Sequence, residues 1–445
     1  MASIESTLQE DKLDFRRILP IIVIVLVDLM GLSIIVPLLP LFAARFGATP
    51  LTVGVLQASY PLMQFLGAPV LGRLSDRFGR KPVLLVSQLG TLAGFILLGF
   101  ANMLWLLFLS RIIDGLSGAN ISTAQAAVAD STSEKNRTQG LGLIGAAFGV
   151  GFILGPIVAY IVLAISGGDY RAVALTAAAF SLASILMTTL WFRETHVGET
   201  RPAGPSRSPF NFAAMRQALG RETIGFLLII MFFYQMAFGG YEQLFSLFTL
   251  TRLGMDATDT SGLFALAGIL IVIIQGVLIG RWSRQKGDRW LVILGVSALG
   301  IGLLGTSLTP QVPVPWYDRA RVLQSLAGQG PIQVSVQTIK VALPSQGARG
   351  WFGIGWLLVA SFPAALGGGV LHPAVNSLIT KAADKSEVGS MLGISAGFYS
   401  AANALAPLFY GSLFQWLGAP VPFFAGGIIL LLLWGLAPRS IPRNL

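Results

Sequence analysis

Ten residues set the terms for the whole chain: Gly72-Arg73-Leu74-Ser75-Asp76-Arg77-Phe78-Gly79-Arg80-Lys81. An apolar run precedes them from Val53 to Leu71, and another follows from Val83 to Leu98. Each run is close to the length a helix needs to cross a bilayer. Five charges in ten residues cannot lie in hydrocarbon, so the segment reads as a tight, glycine-bounded loop at one membrane face. Four of the five are positive, which assigns that face to the cytoplasm. The pattern returns at Gly280-Arg281-Trp282-Ser283-Arg284-Gln285-Lys286-Gly287-Asp288-Arg289, with Gly72/Gly280, Arg73/Arg281, Ser75/Ser283 and Gly79/Gly287 in register. The chain therefore reads as two copies of one membrane module.

Only 11% of the 445 residues are charged and 54% are hydrophobic, whereas soluble proteins carry about a quarter charged residues. Apolar spans fall at 18–43, 51–71, 82–101, 103–129, 139–165, 171–192, 223–250, 260–280, 290–308, 351–380, 388–416 and 421–437. This is an all-α membrane protein with twelve transmembrane helices in two six-helix bundles. The expected layout is an N-terminus at 1–17, a bundle at 18–193, a linker at 194–222, a bundle at 223–437 and a C-terminus at 438–445. Of the 30 Lys and Arg residues, 22 fall on the expected inner side, 7 on the outer side, and Arg111 lies inside a span. That bias places both termini in the cytoplasm. It also explains the net charge of +10 as topology rather than nucleic-acid binding. No small-residue cleavage site follows the first apolar run, so the first span is expected to stay.

With no cysteine and only His196 and His372, disulfides and thiolate chemistry are excluded, and neither a metal nor a cofactor is expected. Two enzyme-like patterns, Gly393-Ile-Ser395-Ala-Gly397 and Gly140-Leu-Gly142-Leu-Ile-Gly145, need a strand–turn–helix setting that apolar spans do not supply. The chain is read as a non-enzyme. Trp105/Trp356, Ser110/Ser361, Gly118/Gly369 and Pro156/Pro407 pair at a larger offset than the two loops do. An insert is therefore expected at about 309–350 on the outer face. Its segment Pro331-Ile-Gln-Val-Ser-Val-Gln337 alternates like a strand.

Asp28 stands about ten residues into the first span, roughly 15 Å deep. An ionised carboxylate there costs about 2.5 kcal/mol or more and normally faces a cavity or a partner. Arg111 and Asp114 reach similar depth in span four and, at i and i+3, share a helix face. The three residues read as a proton-coupling group, or as a static structural clamp. Glu242 is the one deep carboxylate of the second half, set among Phe232, Tyr234, Phe238, Tyr241, Gln243 and Phe245. Glu242, Tyr241, Gln243, Phe238 and Tyr234 suit contact with a cationic or amphipathic small molecule, although such a stripe is also ordinary packing. In span five, Gly142, Gly151, Gly155 and Pro156 place small residues along one face, with a kink near the middle.

The stretch 72–81 resembles the loop signature between spans two and three of the major facilitator superfamily. The N-terminal half is similar to the tetracycline and multidrug proton antiporters of that superfamily. Gly142-x8-Gly151-x3-Gly155-Pro156 resembles their antiporter motif, except that Ala159-Tyr160 replaces a Gly-Gly pair. Gly31-x5-Pro37-x2-Pro40 likewise resembles a motif of twelve-span exporters. The resemblance implies alternating access by two bundles, with protons and a small molecule as partners, in a monomer of the bacterial inner membrane. It also implies a cytoplasmic latch built from Gly72, Arg73, Asp76, Gly79, Arg80 and Asp130, in which Asp76 docks on the N-terminus of span eleven. Two departures stand out. Gly94 occupies a position where tetracycline exporters carry an acid, and Arg284 stands where the first loop has Asp76, so the latch is expected on one side only.

Three functional readings follow. The first is proton-coupled efflux of small amphipathic compounds. The second is metabolite uptake by a symporter or uniporter of the same fold, and the third is a membrane scaffold without transport.

Overall fold

The computed structural model describes residues 15–118, 120–132, 136–195, 212–327, 341–347, 349–384 and 387–442. Every regular element among them is helical. In the first half these are α1 (Phe15–Ser33), α2 (Leu39–Arg45), α3 (Pro50–Phe78), α4 (Arg80–Gly99), α5 (Leu104–Ser117), α6 (Asn120–Asp130), α7 (Arg137–Ser166) and α8 (Tyr170–Leu190). The second half has α9 (Phe212–Leu219), α10 (Glu222–Leu253), α11 (Ala257–Ile273), a π-helical turn (Ile274–Leu278) and α12 (Ile279–Lys286). It continues with α13 (Asp288–Ser307), α14 (Arg319–Ala327), α15 (Trp351–Ala382), α16 (Val388–Leu417) and α17 (Val421–Ser440). Ten helical stretches among the described residues are long and apolar enough to cross a membrane, and they stand at the third to twelfth expected spans. The first two expected positions are filled by α1 with α2 and by α3.

The charged stretch 72–81 departs from the expected loop. Helix α3 runs on to Phe78 and α4 begins at Arg80, so the turn is Gly79 alone, at φ 99°. A helix leaving hydrocarbon keeps its backbone hydrogen bonds while its charged side chains reach water, so charge does not by itself end it. A positive φ does, and it favours glycine. The repeat behaves alike, with Gly287 at φ 81° between α12 and α13.

The chain forms two compact units, 1–35 with 62–159 and 170–204, and 36–61 with 160–169 and 205–445. In the first, α1 packs on α6 and α8, and α4 on α5 and α8. Its core includes Ile21, Ile24, Leu29, Leu84, Val128 and Ile144. Gly151 and Gly155 let α7 close on α1. A Cβ at Gly151 would stand 2.8 Å from that of Leu29, and one at Gly155 would strike the Ser33 hydroxyl. Ser33 Oγ donates to the Gly151 carbonyl at 2.7 Å, tying the two helices. Gly142, from the same motif, faces open space.

In the second unit, α13 packs on α15 and α17, and α10 packs on α15, α16 and α17. Helix α11 opens on a reciprocal cap, Asp256 accepting from Asp259 N–H at 3.0 Å and Asp259 from Asp256 N–H at 3.4 Å. The described part of the insert lies on this unit. Val314 N–H donates to Leu253 O at 3.1 Å, and Trp316 Nε1 donates to Asp259 at 3.1 Å. Tyr317 covers Gly254 and donates to Pro344 O at 2.8 Å. The segment 331–337, read as strand-like, lies outside the described residues.

Candidate functional site

Among the described residues, each unit holds a cluster of polar side chains inside its helices that includes expected site residues. In the first, α1 carries Asp28 and α6 begins at Asn120, whose Nδ2 donates to Asp28 Oδ2 at 2.7 Å. Asp28 Oδ1 is shielded from solvent and has no hydrogen-bond partner among the described residues. On α5, Arg111 Nη1 meets Asp114 Oδ2 at 3.1 Å, with both residues almost wholly buried (2% and 1% exposed). The guanidinium lies 5.5 Å from the centre of the Phe95 ring, a cation–π contact at a buried place. The Asp114 carboxylate also takes a hydrogen bond from Thr91 and is close enough to repel the charge of Asp28. Arg111 and Asp114 thus form a buried pair, with Asp28 bonded to Asn120 and near enough to Asp114 to feel its charge.

Gly94 belongs to this group for a steric reason. A Cβ there would come within 3.0 Å of both Asp114 Cβ and the Ser110 carbonyl. A side chain at 94 would press on Asp114 and the Ser110 backbone where α4 crosses α5.

The second cluster lies along α10. Tyr234, Phe238, Tyr241 and Phe245 follow at helical spacing and form a ladder, with centroid separations of 5.9, 6.4 and 4.8 Å. The ladder is committed to packing. Tyr234 donates to the Gly368 carbonyl at 3.0 Å, Phe238 fills the space a Cβ on Gly368 would need, and Tyr241 lies 3.5 Å from the Ser361 hydroxyl. Glu242 and Gln243 are half-buried. Gln243 Nε2 and Gln235 Nε2 both donate to Asn403 Oδ1, at 3.3 and 3.0 Å. Glu242 has no hydrogen-bond or ion-pair partner among the described residues, and its electrostatic neighbours are Tyr234 and Tyr399. Tyr399 in turn stands edge-on to His372 at 5.1 Å.

The loop residues form a third group. Arg80 donates to Ser75 Oγ (2.9 Å), Asp76 (2.6 Å) and Asp130 (2.8 Å). Asp76 is otherwise largely exposed, at 68% of its side chain. Arg73 folds back onto the Pro69 carbonyl at 3.2 Å, and nothing crowds Gly72.

Residues 21–351 match the family model described as the Major Facilitator Superfamily. The chain belongs to that superfamily. It is a multi-pass membrane transporter. Among its relatives, the class E tetracycline resistance protein of Escherichia coli is 31% identical, covering 75% of this chain and 82% of its own length. The class H tetracycline resistance protein of Pasteurella multocida is 27% identical over 90% of each chain. Multidrug resistance protein 1 of Bacillus subtilis is 26% identical over 91% of this chain and 92% of its own. In fold, the human organic anion transporter MFSD10 superposes with a TM-score of 0.62 at 22% identity, covering 95% of this chain and 99% of that one.

For a superfamily transporter, the residues that sequence reasoning missed are neutral ones. Gln88, Asn120, Gln235, Asn403 and Tyr399 complete the two clusters, yet none carries a charge to mark it among apolar neighbours. The available signal was an amide inside a membrane span, which hydrocarbon tolerates only with a partner.

Proposed function

We propose that this transporter exports small amphipathic organic compounds in exchange for protons by alternating access. It would sit as a monomer in the bacterial plasma membrane with both termini in the cytoplasm. The observation that carries the reading is the buried group of Asp28, Arg111 and Asp114. Asp114 pairs with the Arg111 guanidinium, and Asp28 lies close enough to feel the Asp114 charge where charge is costly, so a proton taken up by Asp28 would change the hold of Asp114 on Arg111. Glu242 would meet the substrate, with Gln243 beside it and the Tyr234–Phe238–Tyr241 ladder as its rigid backing. An acid without a partner, set among rings, suits a cationic or hydrogen-bond-donating ligand. The names of the three relatives described above, each a resistance protein, support export over uptake. Gly79, Arg80, Asp76 and Asp130 would hold the cytoplasmic side, with Gly72 and Arg73 leading into the turn.

Reconstitution tests this directly. An imposed pH gradient should drive a panel of lipophilic cationic dyes out of the compartment facing the cytoplasmic side. Asp28→Asn should abolish gradient-driven movement while leaving dye binding in place, and Glu242→Gln should weaken binding. No gradient-driven flux with any dye would leave a scaffold as the better reading.

A further inference from the structure

The first span is broken where Pro37 and Pro40 stand. Helix α1 stops at Ser33, residues 34–38 form a turn, and α2 starts at Leu39. Neither proline supplies an N–H to a continuing helix. The chain beyond the break packs with the other half of the sequence. Segments 36–61 and 160–169 belong to the compact unit that holds 205–445. All seven residues of α2 are buried, and α2 packs on α10 and α14. In α3, Gln57 Nε2 donates to the Gln243 backbone carbonyl at 3.0 Å. A Cβ at Gly54 would strike the Pro407 carbonyl, and one at Gly262 would stand 3.6 Å from the Tyr160 ring. Each of these contacts lies toward the span ends that the insert adjoins.

The insert is fixed to the same ends. Arg252 Nη2 donates to the Thr309 carbonyl at 2.6 Å, and Gly350 N–H donates to the Pro313 carbonyl at 3.0 Å. With the bonds from Val314 to Leu253 and from Trp316 to Asp259, these tie it to the tips of α10 and α11. Helix α14 grows from this base. Val322 and Leu326, one turn apart on one face, are buried, while Arg319, Arg321 and Gln324 are exposed. A helix of nine residues is marginal in water by itself and depends on the surface it docks against. For α14 that surface includes α2.

We infer that the insert is a brace on the outer side of the transporter. By docking α14 on α2 it holds the outer end of the broken first span against the second half, and α2 must leave α14 each time the outer side opens. The brace rests on the alternating-access reading, but not on the choice of substrate or of coupling ion.

A chain without cysteine allows a direct test. One cysteine replaces Leu326, and a second replaces in turn Leu39, Leu41, Phe42 and Ala43. Oxidation in membranes should join at least one pair and stop gradient-driven dye movement, and reduction should restore it. A joined pair that still exports dye, or no joining at any position, overturns the inference. A second readout needs no transport. In a Gln57→Cys background, a membrane-impermeant maleimide reports opening from the outside of right-side-out vesicles. Adding Leu326→Asp should speed labelling about ten-fold, because a buried contact that favours the closed form is lost. Trp316→Phe keeps a ring but loses the bond to Asp259; it should speed labelling by less, and it serves if Leu326→Asp fails to fold. Labelling as slow in the folded variants as in the parent overturns the brace. A parent that moves no dye defeats the efflux proposal instead, and the labelling rates still decide the brace.

Discussion

At the first charged loop, Arg80 opens helix α4 directly after Gly79; at the second, Asp288 occupies the same place after Gly287. Arg80 is held by Ser75 and Asp130. Asp288 is held by Ser283 Oγ at 2.5 Å, Ser377 Oγ at 2.6 Å and Lys381 Nζ at 2.6 Å. Lys381 stands where the repeat places the counterpart of Asp130. The ion pair thus occurs in both halves with its charges reversed. Arg284 stands at the place of Asp76, so the second copy has the pair without that acid. Polarity has a consequence at the helix ends. A helix N-terminus favours negative charge, which Asp288 supplies itself. Arg80 has the wrong sign, and Glu194 answers instead, accepting from Arg80 N–H at 2.8 Å and Lys81 N–H at 3.0 Å. What is shared between the copies is the position of the pair and the acid at the helix end, not the identity of either residue.

The largest effect that bears on this comparison is expected at Arg80. Arg80→Ala empties a buried guanidinium site that bonds Ser75, Asp76 and Asp130 and should cost about 3 kcal/mol of stability, read from unfolding in detergent. Asp288→Asn should cost less, about 2 kcal/mol, because the amide still fills the site and the half-exposed Lys381 can reach water. If the two losses are equal, polarity is irrelevant and the comparison loses its content. The glycines sharpen it further. Gly79→Ala is strained by its φ and drives a Cβ against the Glu194 carboxylate at 2.6 Å, so about 2 kcal/mol is expected. Gly287→Ala bears the φ strain alone, with nothing within 4 Å, and should cost about 1 kcal/mol.

The smallest effect is at a third helix end. Glu387 precedes α16 and is bonded by Arg221 at 2.6 Å, both side chains more than a third exposed. The hydrogen bond from Arg221 holds the Glu387 carboxyl below the usual carboxylate range. A depressed carboxylate adds stability that is fully present above its unfolded value of about 4.3 and is lost as the pH falls through the lower folded value. Arg221→Ala should therefore lower the unfolding midpoint slightly at pH 6, with the difference closing under acid conditions. A difference that persists or grows at low pH would show that the pair acts through packing rather than charge.

Much of the fold was legible because a bilayer makes hydropathy decisive. Long apolar stretches have one stable solution, a helix with every backbone group satisfied internally. Charges inside them, such as Asp28, Arg111 and Asp114, stand out for the same reason. The loop at 72–81 was misread because polarity marks where a chain leaves the membrane, not where its helix stops; one positive φ at Gly79 decided that. The ring ladder of α10 was visible as a pattern, but its use was not, since Tyr234 and Phe238 look the same in sequence whether they face a ligand or fill the notch at Gly368.

The amino-acid order by itself determined that this chain is a duplicated, all-helical membrane protein, where its charged turns lie and which acids sit at depth. Those are properties of composition along a line, weighed against the cost of charge in hydrocarbon. Only the tertiary structure decided which polar atoms meet. Asn120 reaches Asp28 across 92 positions, Glu194 caps a helix begun 114 positions earlier, and a Cβ at Gly94 would press on Asp114 of the neighbouring helix. Such pairings depend on how closely helices approach and how each is rotated. Glycines such as Gly94, Gly151 and Gly155 set the approach through the contacts they permit, and the contacts exist only once the helices are packed.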